Sequence, residues 1–130
     1  MRDRGFALLE VIVAAALLAV LAAGMARIVA AAVHEGRSSR LRAIATVAAA
    51  DKLEELRSVS PADAGSGTDY LDAAGAALGA GAGASPSTVY TRQWIVQPLD
   101  GDPDVVALRV DVFLRGGALA ARLITVRAAR

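Results

Sequence analysis

From Phe6 to Ala26 the chain carries a single charged side chain, Glu10, in a stretch that is otherwise apolar and free of proline. About 20 apolar residues, each advancing roughly 1.5 Å along a helix, are enough to cross the hydrocarbon core of a bilayer. A run of this length therefore predicts a membrane-spanning helix. The composition agrees: 55% of the 130 residues are hydrophobic and the mean hydropathy is +0.47, high for a freely soluble chain of this size. The formal net charge is only +1, so no basic surplus draws nucleic acid and none is predicted as a partner. The absence of cysteine excludes a disulfide framework, a thiolate zinc site and a cysteine nucleophile.

Glu10 separates three readings of this run. A cleaved secretory signal begins with basic residues, which Arg2 and Arg4 supply, but its apolar region is usually about 7 to 15 residues and holds no acid. A plain signal anchor accepts the length and leaves the carboxylate unexplained, because an ionisable group inside a spanning helix is costly unless paired or near the edge. The third reading accounts for it. In RGFALLEV, Gly5 is followed by aromatic Phe6, with Glu10 four residues further on. This segment resembles the N-terminal signal of the type IV pilin and pseudopilin superfamily.

The resemblance implies that prepilin peptidase cuts after Gly5, that residues 1–5 are a leader, and that Phe6 becomes the N-methylated first residue. Phe6 and Glu10 stand at i and i+4, neighbours on one helix face, so the new ammonium group can sit beside the carboxylate. The family also pairs this carboxylate with the amine of an adjacent subunit, which would give Glu10 the role of fixing axial register. At about 4 Å and an effective dielectric near 20, such a pair gains on the order of 4 kcal/mol before desolvation is subtracted. The positive-inside count does not set the orientation, since Arg2 and Arg4 precede the span while Arg27, Arg37, Arg40 and Arg42 follow it. Orientation rests on the resemblance, which places the C-terminal part in the periplasm of a bacterial inner membrane. The family's usual proline in the second half of this helix is missing here, leaving Gly24 and Gly36 as the candidate weak points.

No proline occurs between Phe6 and Arg57, so one helix is expected over 6–57, with 6–33 embedded in the membrane; unbroken, it would reach about 78 Å. In its second half Leu41, Ile44, Ala45, Ala48, Lys52 and Leu56 share one side, with Ala43, Thr46, Ala50, Glu54 and Arg57 opposite. Such a narrow, alanine-rich stripe suits close packing against a small sheet. Residues 58–87 are rich in Gly, Ala and Ser and read as a long, mobile connection with a short helix around Tyr70 to Leu78. GAGAGA within it lacks both the preceding strand and the following Gly-Lys-Ser/Thr of a phosphate loop.

Strand patterns fill 88–130. Val89 to Gln97 is rich in aromatic and β-branched residues, Val105 to Leu114 alternates, and Leu119 to Val126 completes an antiparallel meander. A two-residue hairpin loop at Gly116-Gly117 would set Leu114 against Leu119, Val110 against Leu123 and Asp111 against Arg122. Trp94 is expected to anchor the sheet core. The fold class is therefore α+β and pilin-like: a long N-terminal transmembrane helix, then a small antiparallel sheet of about three strands on its C-terminal half. The order of the tryptophan strand, the acidic turn and the closing hairpin, together with ADKLEELRS at the helix end, is similar to the minor pseudopilin of subunit type I in type II secretion systems.

Little in the sequence points to chemistry. Asp100, Asp102 and Asp104 have the alternating acidic spacing of a weak calcium candidate, without the glutamate or loop length of an EF-hand. His34, the single histidine, has no second histidine or cysteine to join it on a metal. No nucleophile elbow is present, so neither an enzyme nor a cofactor is expected. The function implied by the resemblance is a structural subunit of a periplasmic pseudopilus. Its partners would be prepilin peptidase, other pilins or pseudopilins, the inner-membrane assembly platform and the lipid bilayer. A minor type IV pilin and a DNA-uptake pseudopilin would look much the same. A different class, an unprocessed membrane-anchored binding module, would not need Gly5, Phe6 and Glu10.

Overall fold

The structure is a computed structural model that describes residues 3–60, 64–79, 85–99 and 102–128. Helix α1 runs from Asp3 to Ser58, followed by strands β1 (Gly67–Leu71), β2 (Tyr90–Leu99), β3 (Asp102–Leu114) and β4 (Leu119–Ala128). The chain divides into two units, Met1–Ser39 and Arg40–Arg130.

In the first unit α1 is helical through Gly24 and Gly36 without interruption. Every side chain from Ala7 to Arg37 is exposed, including Leu8, Val11, Ile12, Leu18, Val20 and Ile28. An apolar window of mean hydropathy 2.5 with none of its surface covered is long and apolar enough to cross a membrane. Among the described residues none shields this surface, and exposing so much apolar area to water is costly, a cost that a lipid environment would remove. This segment fits a single-pass membrane anchor.

In the second unit the remainder of α1 lays its alanine stripe on an antiparallel sheet of order β1-β2-β3-β4. Ala45, Ala48, Ala49, Leu53 and Leu56 are buried on the helix side, while Ala43, Thr46, Ala50, Glu54 and Arg57 are exposed, as the stripe predicts. Alanine at the contact lets the helix backbone approach the sheet, and the larger residues come from the strands. Tyr90, Leu71, Leu108, Val110 and Val112 are the largest fully buried side chains. The inward residues of β3 are Val106, Leu108, Val110 and Val112, a strict two-residue alternation against the helix.

The sheet has four strands, one more than the pattern of apolar runs indicates. The added strand, β1, lies within the Gly/Ala-rich stretch and pairs residue by residue with Tyr90–Trp94 of β2. Gly67 sits directly opposite Trp94, and a Cβ there would collide with the indole ring, so this position needs glycine to admit the aromatic. The helix expected around Tyr70 to Leu78 does not form. Asp72 Oδ1 instead accepts hydrogen bonds from the backbone N–H groups of Ala74 (2.8 Å) and Ala76 (2.9 Å). Leu78 N–H then bonds Tyr70 O at 2.9 Å, folding the segment back along β1. A short acid that satisfies its own downstream backbone competes with the helix and wins.

The closing hairpin also differs at its tip. Val110 faces Leu123 and Asp111 faces Arg122 as expected, but a register shift after Val112 sets Phe113, not Leu114, opposite Leu119. Leu114 and Ala118 close the hairpin by a backbone hydrogen bond, so the turn between them holds three residues, Arg115, Gly116 and Gly117, and not two. Gly117 N–H donates to Leu114 O at 2.7 Å and Leu114 N–H donates to Ala118 O at 2.8 Å, with Gly117 at φ +82°. That is a tight turn closed by a left-handed residue, a conformation glycine adopts without penalty.

Candidate functional site

The N-terminal candidates lie on the first turns of α1. Gly5 and Phe6 are helical, as is Glu10 one turn beyond Phe6. Glu10 is exposed on a strip with Leu9, Val13, Ala14 and Leu17, side chains three and four positions apart that line one helix face. The carboxylate thus stands in an apolar surface, with no hydrogen bond or ion pair from any described residue.

The acidic turn does not assemble into a site. Asp100 lies outside the described residues, Asp102 opens β3, and Asp104 is exposed further along the same strand. Among the described residues no three His, Cys, Asp or Glu side chains group to hold a metal. His34 is exposed on α1. A groove beside the helix of the second unit, about 250 Å³ and lined by Ala43, Ile44, Val47, Ala48, Asp51, Ala74 and Gly75, offers one carboxylate among apolar groups and no acid–base pair.

The second unit does contain a polar framework, most of it invisible in the sequence. Arg127 on β4 places Nη1 over the C-terminal end of α1, 3.3, 2.7 and 3.0 Å from the carbonyl oxygens of Leu56, Arg57 and Val59. A guanidinium there satisfies carbonyls that the last helical turn leaves open and lies at the negative end of the helix dipole. Arg57 donates from Nη2 to Thr125 Oγ1 at 2.9 Å and also pairs with Glu54. Arg92, buried under the helix, donates Nη1 to Ala48 O at 2.9 Å and Nη2 to Asp69 Oδ2 at 2.5 Å. It links α1 to β1 through β2, with its Nε left without a partner.

Lys52 lies on the apolar stripe and is buried because its stem covers core surface while its Nζ finds two partners. The ammonium sits 4.0 Å from the centroid of Trp94 and 2.8 Å from Glu55 Oε1. Trp94 thus borders the core, as expected of it, and also carries a cation.

On the other face of the sheet Asp111, 5% exposed, accepts hydrogen bonds from Arg122 Nε at 2.6 Å and Nη2 at 3.2 Å, with Arg109 Nε at 3.2 Å. The hydrogen bond to Asp111, reinforced by its charge, raises the Arg122 pKa further above its ordinary value. Burial raises the Tyr90 phenol above its ordinary value near 10, while Arg40 pulls in the opposite direction. The Tyr90 hydroxyl donates to Leu41 O at 3.3 Å. The Asp111–Arg122 pair was legible from the hairpin register. The Arg127 and Arg92 contacts and that of Lys52 with Trp94 join elements far apart in sequence and left no local signal.

Comparison with known proteins meets this geometry at the N-terminus. Residues 1–26 match the family described as the prokaryotic N-terminal methylation motif. No curated protein and no solved structure gives a significant match to the chain. The matched segment holds Gly5, Phe6 and Glu10 and most of the uncovered apolar helix. The chain carries a type IV pilin-like prepilin signal, joined to an α+β architecture of pilin type. Such a signal implies processing by prepilin peptidase and assembly with other pilins.

Proposed function

We propose that this chain is a minor pseudopilin, a structural subunit of the periplasmic pseudopilus of a type II secretion system. Prepilin peptidase removes residues 1–5 by cutting after Gly5, and Phe6 becomes the methylated N-terminus. Residues 6–33 hold the subunit in the inner membrane, with the domain that follows in the periplasm, until the assembly platform transfers it into a filament with other pseudopilins. The observation that carries this reading is a lone carboxylate, Glu10, on an exposed apolar helix within a matched methylation motif. Cleavage creates a cation one helical turn away, so the chain makes its own counter-ion and can exchange it for that of a neighbour. The protein acts as a building block and not as a catalyst.

The choice of type II secretion over a type IV pilus or a DNA-uptake machine rests on the similarity of the C-terminal half to minor pseudopilins of subunit type I, including the Trp94 strand and the closing hairpin. Intact mass and N-terminal sequencing from native membranes, with and without active prepilin peptidase, test the reading. The expected result is a methylated Phe6 start that is lost without the peptidase. A Met1 start in both strains would instead identify an unprocessed membrane-anchored module, and a start beyond Ala22 an ordinary signal peptide.

A further inference from the structure

Between residues 6 and 33 the chain carries two charged side chains, Glu10 and Arg27, of opposite sign. Both lie on α1 within the first unit, both are exposed, and neither makes a hydrogen bond or ion pair to a described residue. The cleavage motif accounts for the acid. It does not account for the base, and a cation buried alone among apolar groups is as costly as an anion. Arg27 follows Glu10 by seventeen residues, about 25 Å along the helix and about 100° around it, so the two cannot meet within one chain. The residues three and four positions to either side of Arg27 are Ala23, Gly24, Ala30 and Ala31, all small and all exposed. A Cβ at Gly24 would meet nothing within 4 Å. Small residues around a polar group let a second helix backbone come close enough for that group to reach across.

We propose that Arg27 of one copy of this chain binds Glu10 of a second copy, packed parallel to it and displaced by about 25 Å along the helix axis. Charge complementarity names the occupant, because the same apolar helix supplies one acid and one base and no other charge. The displacement that sets Glu10 level with Arg27 also sets Val13 and Ala14, beside the acid, level with Ala30 and Ala31, beside the base. Copies standing level with one another would place Glu10 beside Glu10 instead, a repulsive arrangement. The two groups project about 100° apart, so each copy offers its acid to one neighbour and its base to another. Such a contact is heterologous and continues from copy to copy rather than closing in a two-fold pair. A carboxylate has two oxygens: one can accept from the guanidinium while the other remains for the amine that cleavage creates. The proposal rests on the assembly reading above, since only staggered copies make the pair.

The test uses the full chain, whose lack of cysteine lets introduced thiols report single contacts. Two copies with different tags are co-expressed, one carrying Ala14→Cys and the other Ala30→Cys. Sheared filaments are oxidised, and disulfides between the tags are measured on immunoblots. The two positions flank Glu10 and Arg27 and lie about 24 Å apart within a chain, too far to be bridged there. The expected result is a cross-link between the tags and none of either copy to itself. Adding Arg27→Gln to the Ala30→Cys copy is expected to lower the yield about tenfold. The same substitution in the Ala14→Cys copy, which contributes Glu10 to this contact, should leave the yield unchanged. No cross-link between the tags, a link of either copy to itself, or a loss that does not follow the Ala30→Cys copy would each overturn the proposal. Absence of wild type from the sheared fraction would overturn the assembly reading itself, a separate and distinguishable failure.

Discussion

Glu10 and Arg127 are opposite kinds of polar residue. Glu10 makes no hydrogen bond or ion pair to any described residue, whereas Arg127 is engaged by three carbonyl oxygens at the end of α1. Replacing Glu10 by Ala is expected to leave cleavage after Gly5 intact while reducing incorporation into filaments at least tenfold, the equivalent of losing about 1.4 kcal/mol at the subunit contact. Immunoblotting of sheared filaments beside N-terminal sequencing would check both halves, and loss of cleavage together with incorporation would assign the residue to peptidase recognition instead. Replacing Arg127 by Met should act on stability alone, since it opens the C-terminal carbonyls of α1. The expected cost is about 1–3 kcal/mol, read as a lower melting temperature of the detergent-solubilised full chain. Tyr90 adds a pH dependence. Its pKa is raised in the folded state, so the folded chain holds the phenolic proton more tightly than the unfolded chain does. This contribution is fully present below about pH 10 and is lost as pH rises through the folded pKa. Denaturation midpoints measured from pH 8 to 11 should fall at the alkaline end, and Tyr90→Phe should flatten that part of the fall.

At the scale of elements, the helix and three of the four strands were legible because each carries its own period. The alanine stripe of α1 repeats every three to four residues and β3 alternates every two, and the structure buries those faces. β1 was not legible. Its five residues contain a glycine and an aspartate, both poor strand formers taken singly. What makes it a strand is contact with β2: Gly67 gives room to Trp94, and Asp69 meets Arg92 directly across the ladder. Gly67→Val is therefore expected to displace the Trp94 ring and detach β1, at a cost of about 1–3 kcal/mol. Tryptophan emission would shift to the red as the indole leaves its site beneath Lys52, whereas an unchanged spectrum would mean that β1 contributes little to holding the ring. The hairpin tip followed the same logic on a smaller scale. Strand alternation set the Asp111–Arg122 match, but the loop closed on three residues because Gly117 supplied a left-handed position.

For the whole molecule, an uncovered apolar helix and a compact helix–sheet unit are continuous in sequence and obey different solvents. The first fits a single-pass membrane anchor, and the second is held by a small core of alanine, leucine, valine and one tyrosine. The sequence alone showed a helix long and apolar enough to cross a membrane and the helical face for the sheet, because these depend on length and periodicity, and its resemblance to a known signal gave the prepilin motif. Only the tertiary structure decided that a fourth strand exists, that Arg127 closes the helix end, that Arg92 ties helix to sheet, and that Lys52 is buried over Trp94. Each of those joins groups from 23 to 71 residues apart, or depends on the space a neighbouring strand leaves, and no local pattern encodes such a distance.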